Sequence, residues 1–166
     1  MRKYIIYALV LAAAAATCAQ AKNWAKDLDN KDEAKRERAA RELMGKAIER
    51  GLTGEEIEAL AEATDDPALE VRRHAINALA SNTKIATSQE YAPHYANRGH
   101  NFVAFLLWYS VYNTYSQIKA ITSGVPAGDM DEEMAYAKNE AERAFANMFD
   151  PERKSEAQRY YDKLKR

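Results

Sequence analysis

Asp65-Asp66-Pro67-Ala68-Leu69-Glu70-Val71-Arg72-Arg73-His74-Ala75-Ile76-Asn77-Ala78-Leu79 is the stretch that decides how the chain is read. Thirty-six residues earlier, Asp29-Asn30-Lys31-Asp32 leads through Arg36, Ala39 and Ala40 to Leu43 in the same order. A fixed period of this length is the mark of stacked supersecondary units. Upstream, Trp24 and Ala25 correspond to Leu60 and Ala61, so each unit reads as helix, tight acidic turn, helix. Thr53 with Glu56 forms a capping box that predicts a helix start at Gly54, with Ile57, Leu60 and Ala61 on one face. Asp66 is expected to cap the next helix with Pro67 in its first position, where the missing N–H costs nothing. Val71, Ala75, Ala78 and Leu79 make the apolar stripe of that helix. Gly51, after Arg50, is expected to close the matching helix of the first unit.

This unit resembles the HEAT repeat, most clearly from Asp65 to Leu79. The first copy, Asp29 to Leu43, keeps the acid, the Arg and the Ala, has Lys35 in place of Val71, and lacks the Pro. The resemblance covers about Trp24 to Ser81. It implies that the turn residue and the Arg six positions later hydrogen-bond across the hairpin, which here pairs Asp66 with Arg72 and Asn30 with Arg36. It also implies a stacked helical scaffold that binds partners rather than an activity.

Composition agrees with a helical chain. Of 166 residues, 32 are Ala against 5 Val and 8 Ile, and Gly and Pro together number only 10. Ala is the best helix former, whereas β-branched residues favour strands, so the fold class is all-α. At the start, Arg2 and Lys3 precede an apolar run from Tyr4 to Ala16 and the small-residue signature Ala19-Gln20-Ala21. These are the parts of a secretory leader, giving an expected leader over 1–21, a mature start at Lys22, and a location in the periplasm or outside the cell. Two rivals are a membrane anchor, for which the run is short, and a lipoprotein cut before Cys18, whose preceding Ala15-Ala16-Thr17 fits the lipoprotein pattern poorly. Without the leader there are 22 basic and 25 acidic residues and no Cys. That balance offers no electrostatic footprint for nucleic acid or anionic lipid, and membrane association is expected only with lipidation at Cys18.

Beyond the repeat pair, assigned to 22–83, the period continues without the Asp/Arg signature. A short helix carrying Tyr91 and Tyr95, capped by Thr87 or Ser88, is expected to break at Asn97-Arg98-Gly99. A longer helix then runs from about Asn101 to Thr122, making an aromatic-rich hairpin over 84–123. Ser123 to Gly128 reads as a linker. Asp129 with Glu132 is a second predicted capping box, followed by a face of Met134, Ala137, Ala141, Phe145 and Met148. Asp150-Pro151 opens a polar terminal helix to about Leu164, completing a capping hairpin over 129–166. The expected architecture is a short right-handed-type α-solenoid of about four αα-hairpins, two HEAT-like and two degenerate.

Candidate sites are few. Asn101 to Ile118 carries no charged residue. Val103, Leu107, Val111, Thr114, Ile118 and Ile121 make an aliphatic stripe, and Phe105, Trp108, Tyr112 and Tyr115 an aromatic one about 130° away. Such a helix needs cover on both sides, from the repeat pair and from the Met134/Phe145/Met148 helix. Any exposed part, with Trp108, Tyr109 and Tyr112, is a candidate partner or homodimer surface. Glu70, Arg73 and Asn77 mark a second candidate contact face on the repeat helix. Lys35, Arg36, Arg38 and Arg41 interleave with Glu33, Glu37 and Glu42, and the pairs Glu37 to Arg41 and Glu42 to Lys46 describe a solvated helix face. The acidic clusters Asp27 to Asp32 and Asp129 to Glu133 lack the central Gly and terminal Glu of a calcium loop and read as caps. His74, His94 and His100 name no metal set, and neither a metal nor a cofactor is expected. The leading expectation is an exported, non-catalytic scaffold for a protein or peptide. The alternative is a small metal-dependent or hydrolytic enzyme with His94, His100 and nearby carboxylates between the repeat pair and the C-terminal hairpin.

Overall fold

A computed structural model describes residues 23–122 and 128–165. The leader, Cys18 and most of the Ser123 to Gly128 linker lie outside these residues. The described residues are all-helical: α1 (Trp24–Asp27), α2 (Glu33–Glu49), α3 (Gly54–Ala63), α4 (Leu69–Ala80), α5 (Ile85–Asn97), α6 (Asn101–Ile121), α7 (Gly128–Ala146) and α8 (Pro151–Leu164). Helices of the first six alternate in contact. α1 touches α3 and α3 touches α5, while α2 packs on α4 and α4 on α6. Each odd helix also packs on its successor, and α7 and α8 close over α6.

Local chemistry sets several of these boundaries. Thr53 Oγ1 accepts from Glu56 N–H at 3.3 Å and Glu56 returns the bond to Thr53 N–H at 3.0 Å, so the capping box at α3 is complete. Gly51 ends the preceding segment at φ +75°, and a Cβ there would stand 2.2 Å from Lys84 Cβ, which no side chain tolerates. Asp150 accepts from the N–H groups of Glu152 and Arg153, with Pro151 in the first turn of α8.

Other boundaries correct the sequence reading. α4 begins at Leu69 after Ala68, two residues later than a cap at Asp66 would place it. The Asp66 carboxylate instead accepts from Ala68 N–H at 2.8 Å and from the Arg36 fork at 2.7 and 3.1 Å. Asp66 and Arg72 therefore do not pair through their side chains. Arg72 donates to the carbonyls of Asp66 and Pro67 at 2.8 and 3.0 Å, and Arg36 donates to those of Asn30 and Lys31 at 2.9 and 3.2 Å, the same two bonds 36 residues apart. α5 starts at Ile85, so Thr87 and Ser88 are buried inside it and cap nothing. Asp129 lies within the first turn of α7 rather than before it. Glu37 and Arg41 pair at 2.7 Å as expected, but Lys46 reaches Glu56 at 3.4 Å and not Glu42, sharing that carboxylate with Arg50 at 2.6 Å.

The core runs through both layers, with Leu43, Leu52, Ile57, Leu60, Val71, Leu79, Phe105 and Leu107 fully buried. Burying each large side chain contributes about 1.5–3 kcal/mol. In α6 every residue from Phe102 to Val111 is buried, whereas Tyr112 to Ser116 are half-exposed and Ile121 is 84% exposed. Two-sided cover thus extends over the first half of that helix. On the aromatic side Phe105 meets Phe145 at 5.6 Å, Trp108 stands edge-on to Tyr136 at 5.4 Å and Tyr109 meets Tyr160 at 5.1 Å. One polar line crosses this apolar interior. Leu52 N–H donates to Asn82 Oδ1 at 2.8 Å, Asn82 Nδ2 donates to Ser88 Oγ at 2.9 Å, and Ser88 shares a 2.9 Å bond with Ser110.

Candidate functional site

The α5–α6 corner is built by glycine. Gly99 adopts φ +80° after Arg98. Its N–H bonds to Ala96 C=O at 3.0 Å, and His100 N–H reaches back to Tyr95 C=O at 2.9 Å, the paired bonds of a Schellman ending. That turn folds His100 back beside Tyr95. His94 and His100 both stand edge-on to the Tyr95 ring, at 5.9 and 6.1 Å, so two histidines six positions apart in sequence flank one phenol. Sequence spacing gave no such expectation, since six residues do not share a helical face.

This corner forms one wall of an open cleft of about 730 Å³. The end of α3 and its following turn form the second wall with Glu58, Glu62 and Asp65, and the α7–α8 loop with the first turn of α8 forms the third with Asn147, Phe149, Asp150 and Arg153. Two contacts tie the walls together. Asn101 Nδ2 donates to Asn147 C=O at 3.0 Å, and Arg153 is paired with Asp65 and, at 2.7 Å, with Glu156. The Arg153 guanidinium also lies 5.1 Å above the Phe102 ring. The neighbouring loop leaves Phe149 92% exposed on the rim, beside the buried Met148.

The electrostatics of the cleft are negative around Tyr95. Burial pushes its phenol up, and the nearby Glu58 and Glu62 carboxylates push it further, to about 12. Among the described residues neither glutamate has an ion-pair partner, and Arg98 has none either. His94 and His100 are exposed and donate no bond to a carboxylate among the described residues. His, Cys, Asp and Glu nowhere gather in threes there in a way that could hold a metal ion.

The residues singled out from sequence are scattered. Trp108 and Tyr109 are buried under α7 and α8, so they offer no surface to a partner, and Tyr112 is half-buried against the core. Glu70 and Arg73 are exposed and pair with each other at 2.7 Å. Asn77 is already engaged: its Oδ1 accepts from Tyr160 Oη at 2.7 Å and from Arg159 at 3.0 Å. The terminal helix therefore occupies part of the face on which Asn77 lies. His74 is half-buried, and its Nδ1 has no hydrogen-bond partner among the described residues. Asp66, Arg72, Asn30 and Arg36 hold the two turns together as described above. Phe149, Glu58 and Glu62 have no place among the sequence candidates, and Tyr95 enters there only as a helix residue; the one signal in the residues themselves is that Phe149 directly precedes the Asp150-Pro151 helix start.

No helix among the described residues is long and apolar enough to cross a membrane. Compared with protein-family models, with curated proteins and with solved structures, the chain matches none.

Proposed function

We propose that the chain is an exported, HEAT-like α-solenoid scaffold that binds a protein or peptide in the cleft between the repeat pair and the C-terminal hairpin, without catalysis of its own. The solenoid reading draws on the alternating helix contacts and on the arginine-to-carbonyl bonds recurring at 36 residues. One observation carries the binding reading: a three-walled cleft whose rim bears a phenylalanine 92% exposed. Aromatic side chains are enriched at binding hot spots, and concave sites pair apolar lining with a few polar groups, which is what Phe149 and the cleft beside it offer. Export rests on the leader-like start alone.

The hydrolytic alternative draws on His94 and His100 sharing the cleft lining. It is the weaker reading, because a general-base histidine is oriented by a carboxylate or equivalent partner and these two pack on Tyr95 instead. The test immobilises the mature protein and captures partners from its native envelope. Phe149→Ala with Glu62→Gln is expected to lose a partner that Arg73→Glu with Tyr112→Ala retains. If every captured partner survives the cleft substitutions, the reading is wrong. Intact mass then reads the start of the secreted chain, with Lys22 expected and either Met1 or a lipidated Cys18 refuting cleavage after Ala21.

A further inference from the structure

We propose that the cleft takes a cationic side chain, arginine or lysine, from an extended basic segment of the partner, held between the Glu58/Glu62 carboxylates and the aromatic rim of Tyr95 and Phe149. This rests on the partner-binding reading above and names the chemistry of the partner. The cleft already holds one guanidinium by the same means. Arg153 lies over the Phe102 ring at 5.1 Å while the carboxylates of Asp65 and Glu156 take its N–H groups. Elsewhere in the lining, ring and carboxylates recur: Glu58 and Glu62 share the cleft with Tyr95 and with Arg98, and among the described residues neither glutamate is ion-paired, to Arg98 or to any other cation. Counting the lining, Glu58, Glu62, Asp65 and Asp150 face Arg98 and Arg153, so four negative charges meet two positive ones. A groove of net negative charge with a low-dielectric wall concentrates cations.

Phe149 supplies an aromatic face at the same mouth. Its neighbour Met148 is buried, yet Phe149 projects to 92% exposure at the mouth. Its ring can lie along the aliphatic stem of a long basic side chain and face its charge. An acidic segment is disfavoured there, because it would meet Glu58 and Glu62 at close range.

Isotope-edited NMR titration tests this with a heptapeptide of glycine and serine carrying one central arginine. Controls replace that arginine by citrulline, which keeps the shape and loses the charge, or by glutamate. The arginine peptide is expected to move the amides of Tyr95, Arg98 and Phe149 saturably, and to bind at least roughly tenfold more tightly than the citrulline peptide at low ionic strength. Glu58→Gln with Glu62→Gln, both at exposed positions, is expected to weaken binding roughly two- to thirtyfold. Phe149→Ala is expected to weaken it several-fold with an unchanged melting temperature. Equal affinity for the citrulline or glutamate peptide, an unchanged Kd in the double variant, or no shifts at millimolar arginine peptide overturns the proposal. A native partner that needs the cleft but docks a neutral or acidic segment removes this inference and leaves the scaffold reading standing.

Discussion

Asn82→Ala is the substitution whose cost follows most directly from the packing. Asn82 is fully buried between the α2–α3 loop and α5, at the point where the repeat pair meets the aromatic hairpin. Its Oδ1 is the hydrogen-bond acceptor for Leu52 N–H at 2.8 Å, and Leu52 is itself fully buried. Alanine would leave that N–H stranded in an apolar environment, a desolvation penalty of about 1–3 kcal/mol. Losing the 2.9 Å bond to Ser88 adds roughly 0.5–1.5 kcal/mol, since Ser88 keeps Ser110 as a partner. The total is about 1.5–4.5 kcal/mol, which for a chain of this size lowers the melting temperature by roughly 3–18 °C. Urea unfolding followed by far-ultraviolet circular dichroism measures it directly. Ser88→Ala is the internal comparison, expected to cost about 1 kcal/mol because Ser110 then still donates to Leu107 C=O at 2.7 Å. If Asn82→Ala costs no more than Ser88→Ala, the Leu52 bond is not what makes this position expensive, and the reasoning fails.

Acid should unfold the protein through two carboxylates. Burial raises Asp66, but its bonds from Arg36 and from Ala68 N–H outweigh that and hold it below its ordinary 3.8; in the same way Arg50 and Thr53 N–H hold Glu56 below its ordinary 4.5. A folded-state value below the unfolded one means stability that is present above the unfolded value and lost as pH falls through the folded one. The wild-type urea midpoint is therefore expected to fall steeply below about pH 4, whereas Asp66→Asn with Glu56→Gln starts lower and falls less; parallel profiles would refute this. Tyr160→Phe removes the 2.7 Å bond to Asn77 and should cost about 0.5–1.5 kcal/mol without altering capture at the cleft, and an unchanged urea midpoint would show that the bond contributes nothing to docking the terminal helix.

Much of the helical framework was legible because its signals are local. The capping box at Thr53 and Glu56, the glycine stop at Gly51 and the Asp150-Pro151 start each need only four or five consecutive residues, and each stands where the residues say. The boundaries that slipped did so where a distant partner outbid a local one. Asp66 has the right identity for a cap, yet Arg36, thirty positions away, offers its carboxylate a two-pronged bond, and α4 begins later. Ser88 could cap, yet burial against Asn82 and Ser110 draws it into the helix interior. Trp108 and Tyr109 illustrate the same limit for surfaces: composition shows an aromatic helix, but only the placement of Tyr136 and Tyr160 shows that those rings are covered.

The cleft was the least legible feature, and the reason is topological. Its walls come from three segments around residues 58–65, 94–103 and 147–153, and no periodicity links them. Packing of α7 and α8 on α6 brings them together, and two surface ties, Arg153 to Asp65 and Asn101 to Asn147, join the walls at the cleft through residues that read in sequence as ordinary polar surface. The buried line from Leu52 through Asn82 and Ser88 to Ser110 fixes α5 and α6 against the repeat pair, and so fixes the wall that carries Tyr95. A polar line of this kind stabilises little more than a well-packed apolar one would, but each member is satisfied in only one register. Sliding α5 by a single residue would part Ser88 from both Asn82 and Ser110. The register that avoids this is the one that places Tyr95 in the lining it shares with Glu58 and Glu62, so the shape of the cleft is set in part by residues that do not line it.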